Sequence, residues 1–317
     1  MNFPLEKYVT ESSIDIYIIR CRMYRSMIGR VQVIPSLKTV IDTGSEDASS
    51  HQDVLDGFRQ LKDVCGVNFT PSDVQRVFLT HSHIDHIGGL DLFDNPRVER
   101  CLHQRDKQMA MQHEAHFANA LVCLERFFDL CCVPNEERSR LKNGFLSMGP
   151  RTVDYDIQHF LEDDESVGSF QVIPVPGHSK GHSNFLLDDV LFTGDHVLSQ
   201  TLAPVWSRVF GDVLGFASYW AGLNKVRQLV QSGQVHTFLP SHEQTITDPL
   251  RRLDTIETAQ NRRFDKIRRL MTQWEGSDSA PAQSHAFEIT RKMFAAPTDF
   301  FAFIGLLDVG SRMEYLF

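Results

Sequence analysis

Short runs of apolar and β-branched residues recur in two parts of the chain, and each run predicts a β-strand. The predicted strands of the first part are 14–19, 31–34, 38–41, 74–79 and 98–102, and those of the second part are 170–175, 184–187, 190–192 and 235–239. Apolar residues at helical spacing predict helices at 51–64 and 216–230. Two strand-rich parts flanked by helices predict a layered α/β sandwich.

Helical patterns fill the middle of the chain and its C-terminal end. Between the two strand-rich parts, residues 104–145 have an apolar helical face formed by Met109, Met111, Phe117, Leu121, Leu124, Phe127 and Phe128, and a break follows at Gly149-Pro150. Beyond Pro249 the pattern predicts helices at 250–274, 285–294 and 298–315, with a polar linker at 276–283. We therefore expect a sandwich domain at 1–247 with a helical insertion at about 104–147, and a small helical domain at 248–317.

Composition and charge narrow the classes of function. With 42% hydrophobic and 23% charged residues, the 317-residue chain has the composition of a globular protein. Its formal net charge of −9 argues against a nucleic-acid binder, because such proteins gain affinity by neutralising phosphates. The longest apolar run, 300–307, is too short to cross a bilayer, and the N-terminal sequence lacks the apolar core of a signal peptide. Because the six cysteines also show no paired spacing, we expect a cytoplasmic protein with no membrane partner.

The sharpest chemical feature is the segment THSHIDHIGG at residues 80–89. It places four potential metal ligands within six residues, directly after a predicted strand: His81, His83, Asp85 and His86. Imidazole and carboxylate ligands together suit zinc, iron or manganese. The alternative is a polar surface turn that holds three histidines by chance. With only 14 histidines in 317 residues, chance is a poor explanation for so dense a cluster.

Three further candidate ligands each follow a predicted strand: His178, Asp195 and His242. Taken alone, each is more typical of a loop residue than of a ligand. In this order, and together with the first cluster, they complete two adjacent metal sites.

These motifs resemble the metallo-β-lactamase superfamily of hydrolases over about residues 14–245. The resemblance implies a four-layer αββα sandwich with the site at one sheet edge. It also implies the metal ligands: His81, His83 and His178 for a first metal, Asp85, His86 and His242 for a second, and Asp195 as the bridge. Asp42, in the Asp-Thr-Gly turn, matches a supporting position near the metal loop, with an ordinary turn aspartate as the alternative. Ser241 departs from the pattern, because many members have glycine there, and we expect a changed loop conformation.

Two divalent metal ions at such ligands predict hydrolysis. Zinc is the first expectation, and iron and manganese are the alternatives. A hydroxide shared between the two metals would have its pKa lowered from ~15.7 to about 7, which supplies a nucleophile at neutral pH. We expect Asp85 to orient that hydroxide and to carry a proton to the leaving group.

The sequence indicates the residues of the substrate pocket less clearly than the metal ligands. As a lid over the cleft, the insertion would present Phe117, Phe127 or Phe128 to an acyl or aromatic substrate, whereas as extra core it would not. Tyr219 could donate a hydrogen bond to an oxyanion, as a tyrosine does in related lactonases, with core packing as the alternative.

Four other histidines lie near these features. His182 and His196 are expected as supporting or surface residues beside the ligands. His113 and His116 are expected on a solvated helix face.

Three classes of function remain. The first is a hydrolase of a thioester, lactone or other small acyl ester. The C-terminal helices are similar to the winged-helix-like tail of a branch with thioesterase-like and glyoxalase-II-like hydrolases and a mitochondrial endoribonuclease. The second class is therefore a metal-dependent ribonuclease, favoured by seven Arg or Lys against three Asp or Glu at 251–271 but not by the acidic chain. The third is a ligand-binding regulatory protein with a secondary hydrolase site. A homodimer is an open alternative to a monomer.

Overall fold

A computed structural model describes residues 3–23, 27–148, 154–272 and 285–317. The predicted break at Gly149-Pro150, the linker at 276–283 and the last two residues of the helix at 250–274 lie outside the described residues.

The first β-sheet has seven strands, which follow one another in space as in the sequence. They are β1 (Glu6–Val9), β2 (Asp15–Arg22), β3 (Ile28–Ile34), β4 (Thr39–Ile41), β5 (Arg76–Leu79), β6 (Glu99–His103) and β7 (His159–Leu161). Strands β1 to β4 pair antiparallel, and β4 to β7 pair parallel.

The second sheet has five strands, in the spatial order β12-β11-β10-β9-β8. They are β8 (Ser166–Val167), β9 (Phe170–Pro174), β10 (Ser183–Leu187), β11 (Val190–Gly194) and β12 (Thr237–Pro240). All neighbours are antiparallel except β11 and β12, which are parallel.

Nine α-helices lie in the described part of the chain. They are α1 (Ala48–Asp63), α2 (Ile84–Ile87), α3 (Lys107–Met111), α4 (His113–Leu130), α5 (Asn135–Leu146), α6 (Phe216–Gln231), α7 (Pro249–Met271), α8 (Ala286–Met293) and α9 (Asp299–Leu316). Beyond Asp248 the described residues contain helices and no strand. None of the described helices combines the length and the apolar character needed to span a bilayer.

The two sheets pack face to face and are covered on the outside by helices. Because successive side chains of a strand point to opposite faces, β2 contributes to two cores. Ile16 and Ile18 pack between the sheets, and Tyr17 and Ile19 pack with Phe58 of α1 on the outer face. Helices α6 and α7 cover the outer face of the second sheet in the same way. This arrangement is the predicted four-layer αββα sandwich.

Strand ends bring distant parts of the chain together at one edge. Asp42 follows β4 and His81 follows β5, and these strands are parallel, so their carboxyl ends share an edge. Asp195 and His242 follow the parallel strands β11 and β12 in the same way. The two sheets meet at this edge, where the Ser183 N–H of β10 donates to the carbonyl oxygen of Thr80 over 2.9 Å.

The helical insertion and the C-terminal helices share one hydrophobic core. Phe127 and Phe128 of α4 are fully buried there, among residues of α5, α8 and α9. A Cβ atom at Gly310 of α9 would lie only 2.6 Å from the Phe127 ring, so this glycine permits close packing of α9 on α4. The expectation that Phe127 and Phe128 line a substrate cleft is therefore wrong, because the C-terminal helices enclose both rings. The domain boundary near residue 248 stays a prediction.

Removal of the Phe127 ring tests this core. We expect Phe127→Ala to lower the free energy of unfolding by about 3–5 kcal/mol, because a buried aromatic ring is lost and a cavity is left. Denaturant unfolding measures the change. Val122→Ala is the control, because Val122 is 54% exposed on the same helix. A loss for Phe127→Ala no larger than that of the control would contradict the shared core.

Candidate metal centre

The structure brings the seven predicted ligands together at the common sheet edge. Their ligand atoms form three groups, within each of which the atoms lie no more than 4.8 Å apart. The groups are His81, His83 and His178; Asp85, His86 and His242; and His81, His86 and Asp195. The first two groups, called the first and second trio below, match the two predicted ligand sets.

The first trio is an all-histidine group. His81 Nε2 lies 2.9 Å from His83 Nδ1, and the ring of His178 is centred 4.9 Å from that of His81 and 4.7 Å from that of His83. All three rings come from turns that directly follow strands, which fixes their backbone. Three imidazoles facing one point are typical of a zinc site.

The second trio combines one carboxylate with two histidines. Asp85 Oδ1 lies 3.7 Å from His86 Nε2, and Asp85 Oδ2 lies 3.5 Å from His242 Nε2. Asp195 faces both trios, with Oδ2 at 3.4 Å from His178 Nε2 and Oδ1 at 3.4 Å from His242 Nε2. One carboxylate that offers an oxygen to each trio is the arrangement expected of the bridging residue.

The distances from the Asp85 and Asp195 oxygens to their histidine partners fit shared metal ions better than hydrogen bonds. The 2.9 Å between His81 Nε2 and His83 Nδ1 is itself a hydrogen-bond distance. Nitrogen and oxygen ligands at about 2.0–2.2 Å from a tetrahedral zinc ion lie about 3.3–3.6 Å apart, whereas a good hydrogen bond is shorter. The buried atoms His86 Nε2, His178 Nε2 and Asp195 Oδ1 have no hydrogen-bond partner among the described residues. Buried lone pairs without a donor are costly, and a divalent cation would satisfy them. The residues therefore fit divalent metal ions.

In three of the histidine ligands the outer nitrogen, Nδ1, is held by an acceptor. His86 Nδ1 lies 2.8 Å from Asp42 Oδ2, His178 Nδ1 lies 3.0 Å from the Pro204 carbonyl oxygen, and His242 Nδ1 lies 3.1 Å from that of Ile28. Because a carboxylate and a carbonyl only accept, these contacts place the proton on Nδ1. The Nε2 lone pair then faces the centre, as metal binding requires.

Asp42 connects the two sheets behind the ligands. Its carboxylate accepts hydrogen bonds from the Thr80 N–H over 2.8 Å, from His86 and from the Ser241 hydroxyl over 2.6 Å. The backbone of Asp42 has φ +54°, a left-handed conformation that aims the side chain at these donors. Of the two alternatives for Asp42, the geometry favours the supporting role over that of an ordinary turn residue.

Ser241, where many members of the superfamily have glycine, fits its position for a structural reason. Ser241 is buried and does not adopt a left-handed φ, so its side chain brings no backbone strain. Its hydroxyl adds a hydrogen bond to Asp42 that glycine could not make.

The centre divides its histidines by charge. Burial lowers the pKa of His83 to about 3. Burial also acts to lower the pKa values of His86 and His242, but the Asp195 and Asp85 carboxylates outweigh it, so the pKa of His86 is raised well above its usual value and that of His242 rises to about 9. The first trio therefore favours the neutral imidazole that binds metals. In the second trio, the negative charge of the neighbouring carboxylates favours a positive charge beside them.

Three residues predicted near the ligands lie behind the centre. His182 is buried, accepts the Asp195 N–H at Nε2 over 3.0 Å, and stacks on His81 with ring centroids 4.8 Å apart. His196 is also buried, 5.4 Å from the ring of Tyr219. Tyr219 is fully buried, and burial raises the pKa of its hydroxyl to about 12. This position favours core packing, because α6 packs the side chain into the core of the second sheet, and the oxyanion role stays a prediction.

The insertion places two histidines differently from expectation. His113 is buried and His116 is half-buried, so neither lies on a fully solvated helix face. Burial, followed by the charge of Lys180, lowers the pKa of His116 to about 4. Phe117 is half-buried, and its ring stacks on Phe145 at a centroid distance of 5.4 Å.

Two acidic residues without a sequence motif also hold the ligand loops. Glu243 follows His242 with φ +64° and accepts a hydrogen bond from the Thr201 hydroxyl over 2.7 Å, which ties it to the loop beyond Asp195. Asp106 accepts hydrogen bonds from the ligand loops of the first trio. Both lie a few residues beyond predicted strands, the same positional signal that indicates the ligands.

Comparison with known proteins identifies the family and the fold. A family model described as the metallo-beta-lactamase superfamily matches residues 34–270. The probable metallo-hydrolase YqjP of Bacillus subtilis (strain 168) is 22% identical over 290 residues, or 88% of this chain and 84% of the relative. Hydroxyacylglutathione hydrolase of Psychromonas ingrahamii is 29% identical over 137 residues, or 43% of this chain and 38% of the relative.

Solved structures agree with this assignment. The metallo-beta-lactamase family protein TTHA1429 from Thermus thermophilus superposes with a TM-score of 0.68 at 20% identity, covering 95% of this chain and 92% of that one. A beta-lactamase domain protein from Burkholderia ambifaria gives a TM-score of 0.58 at 17% identity, covering 98% and 84%. At these identities the likeness concerns the fold alone.

Metal content tests the two trios. We expect about two zinc ions per chain in the wild type and about one in His242→Ala, because that change removes a ligand of the second trio and leaves the first intact. Elemental analysis of zinc-reconstituted, desalted protein measures both. His285→Ala is the control, because His285 belongs to none of the ligand groups and should not change the content. Equal metal content in His242→Ala and the wild type would contradict the assignment.

Proposed function

This chain belongs to the metallo-β-lactamase superfamily, and we propose that it is a dinuclear metal-dependent hydrolase of thioesters, lactones or other small acyl esters. The observation that carries the proposal is the buried convergence of seven ligands, three atoms of which have no hydrogen-bond partner in the described part of the chain. When bound there, divalent cations supply Lewis acidity, which activates water at neutral pH and polarises an acyl carbonyl. Zinc is the proposed metal.

Asp85 is the proposed proton carrier. It is the most exposed of the carboxylates in the centre, with 16% of its side chain accessible, while Asp195 has 11%. Histidines 86 and 242 flank it, and although burial acts to raise the pKa of Asp85, their charges hold that pKa below its usual range. Its oxygens can accept the proton of the attacking water and return it to the leaving group.

The proposed acyl pocket begins beside the loop of His178. The Pro204 carbonyl oxygen accepts from His178 Nδ1, and the Trp206 N–H donates to the Gly177 carbonyl oxygen over 2.9 Å. Trp206 and Phe210 are half-buried, with ring centroids 5.0 Å apart. In this proposal the acyl or aromatic part of the substrate packs against these rings, with Phe117 at the edge of the same aromatic cluster.

The relatives support an acyl substrate to a limited extent. Hydroxyacylglutathione hydrolase is named for an acylated glutathione, and it matches less than half of this chain. The cytoplasmic location and the homodimer stay predictions.

Ribonuclease activity is less well supported. Arg252 of α7 is buried and donates to the Leu198 carbonyl oxygen. Arg263 forms an ion pair with Asp308 over 2.9 Å. Two of the seven basic side chains of this helix are thus engaged within the protein rather than offered to phosphates. A ligand-binding regulatory protein whose hydrolase site is secondary would have no evident need for a complete set of metal ligands.

Loss of Asp85 tests the chemistry. We expect Asp85→Asn to lower kcat on acyl thioesters or lactones by about 10²–10⁴-fold, because an amide cannot accept the proton. Steady-state assays of zinc-loaded protein measure this, with single-stranded RNA as the competing substrate. Asp91→Asn is the control, because Asp91 is an exposed residue beyond the same ligand loop. Turnover of RNA alone would support the ribonuclease, and full activity of Asp85→Asn would exclude the proposed proton carrier.

The aromatic pocket is tested separately. We expect Trp206→Ala to raise KM for aromatic or long acyl substrates about tenfold or more, because burial of such a group contributes roughly 1.5–3 kcal/mol. KM for a short acyl substrate should not change. Trp220→Ala is the matched control, because Trp220 is half-buried on α6, where its ring lies beside Tyr219 and Phe264. Equal weakening of all substrates by Trp206→Ala would contradict the pocket.

A further inference from the structure

Asp106 is a buried aspartate that lies three residues beyond the end of β6, and it is only 2% exposed. Its Oδ2 atom accepts hydrogen bonds from the Ser82 N–H over 3.1 Å and from the Ser179 hydroxyl over 2.8 Å. Its Oδ1 atom accepts from the Gly181 N–H over 2.7 Å. A single carboxylate thus binds donors from two separate loops.

Both loops carry ligands of the first trio. Ser82 lies between His81 and His83, and Ser179 directly follows His178. A Cβ atom at position 181 would lie 2.9 Å from the carboxyl carbon of Asp106, so the glycine allows this close approach. Asp106 itself belongs to none of the ligand groups, which means that it acts on the ligands only through their loops.

Asp42 provides a contrast. It bonds directly to His86 and to Ser241, which precedes His242, and it reaches His81 only through Thr80. The hydrogen bonds of Asp106 reach no residue of the second trio and no neighbour of its histidines. The two buried aspartates therefore serve different parts of the centre.

We propose that Asp106 is a positioning residue that sets the distance between the His81–His83 turn and the His178 turn, and thereby the metal affinity of the first trio. The proposal rests on the proposed function, in which that trio binds a metal. An aspartate suits this role because its two oxygens accept from all three donors. An asparagine would have a single acceptor oxygen, and its NH₂ group would face a backbone N–H, so at least one loop would lose its attachment.

Zinc affinity in two single-trio backgrounds tests the proposal. His242→Ala leaves the first trio intact, and His178→Ala leaves the second. We expect Asp106→Asn to weaken zinc binding by about 10–100-fold in the His242→Ala background, the usual effect of losing a residue that orients ligands, and to leave it unchanged in the His178→Ala background. Competition with a chromophoric chelator measures both affinities without any turnover.

The control is the same Asp→Asn substitution at a neighbouring aspartate. Asp163 is exposed and bonds to Arg105, the residue before Asp106. We expect Asp163→Asn to leave zinc affinity unchanged in both backgrounds. Equal weakening of both backgrounds by Asp106→Asn would overturn the proposal, because it would indicate a general structural role, and so would an unchanged affinity in the His242→Ala background.

A second variant applies if Asp106→Asn does not fold. Ser179→Ala removes one of the three donors and keeps the carboxylate with both backbone bonds. We expect a smaller loss of zinc affinity, confined to the His242→Ala background, and no loss there would overturn the proposal. Failure of the proposed function gives a different result: zinc would bind as expected, but the wild type would hydrolyse no acyl substrate.

Discussion

The buried carboxylate of Asp42 is the contact on which the arrangement of the centre depends. Its two oxygens accept hydrogen bonds from Thr80 and His86, which belong to one ligand loop, and from Ser241 after β12, which is far away in the sequence. A buried carboxylate is stable only when it is paired or well hydrogen-bonded, so these segments are held in place around it. The same contact orients the His86 ring, so one residue joins the two sheets and prepares a ligand.

Much of the fold and of the ligand set follows from the sequence because the same local rule governs both. The centre sits where parallel strands end, and a strand of apolar residues followed by a histidine or aspartate is readable from the pattern alone. Strands β1, β7 and β8 were not predictable in this way. They are short, and β1 alternates half-buried and exposed residues, so neighbouring strands rather than their own composition stabilise them.

The sequence indicates less about side chains whose role depends on what covers them. The apolar face at 104–145 fits a lid and a core helix equally well, and it is the C-terminal helices, about 150 residues later in the chain, that decide between them by enclosing Phe127 and Phe128. The role of Asp106 cannot be predicted from the sequence for the same reason. Its three donors come from Ser82, Ser179 and Gly181, and nothing in the local pattern indicates that these meet.

The centre also shows why the ligands need so much support. Ligand atoms that converge with their lone pairs repel one another, and a buried atom left without a partner costs about 1–3 kcal/mol. His86, His178 and Asp195 each keep such an atom in this structure. Only a rigid frame maintains that arrangement, and the frame consists of hydrogen bonds to the other nitrogen or to the neighbouring backbone. The surrounding sandwich thus holds the ligand atoms in an arrangement that a divalent cation would satisfy.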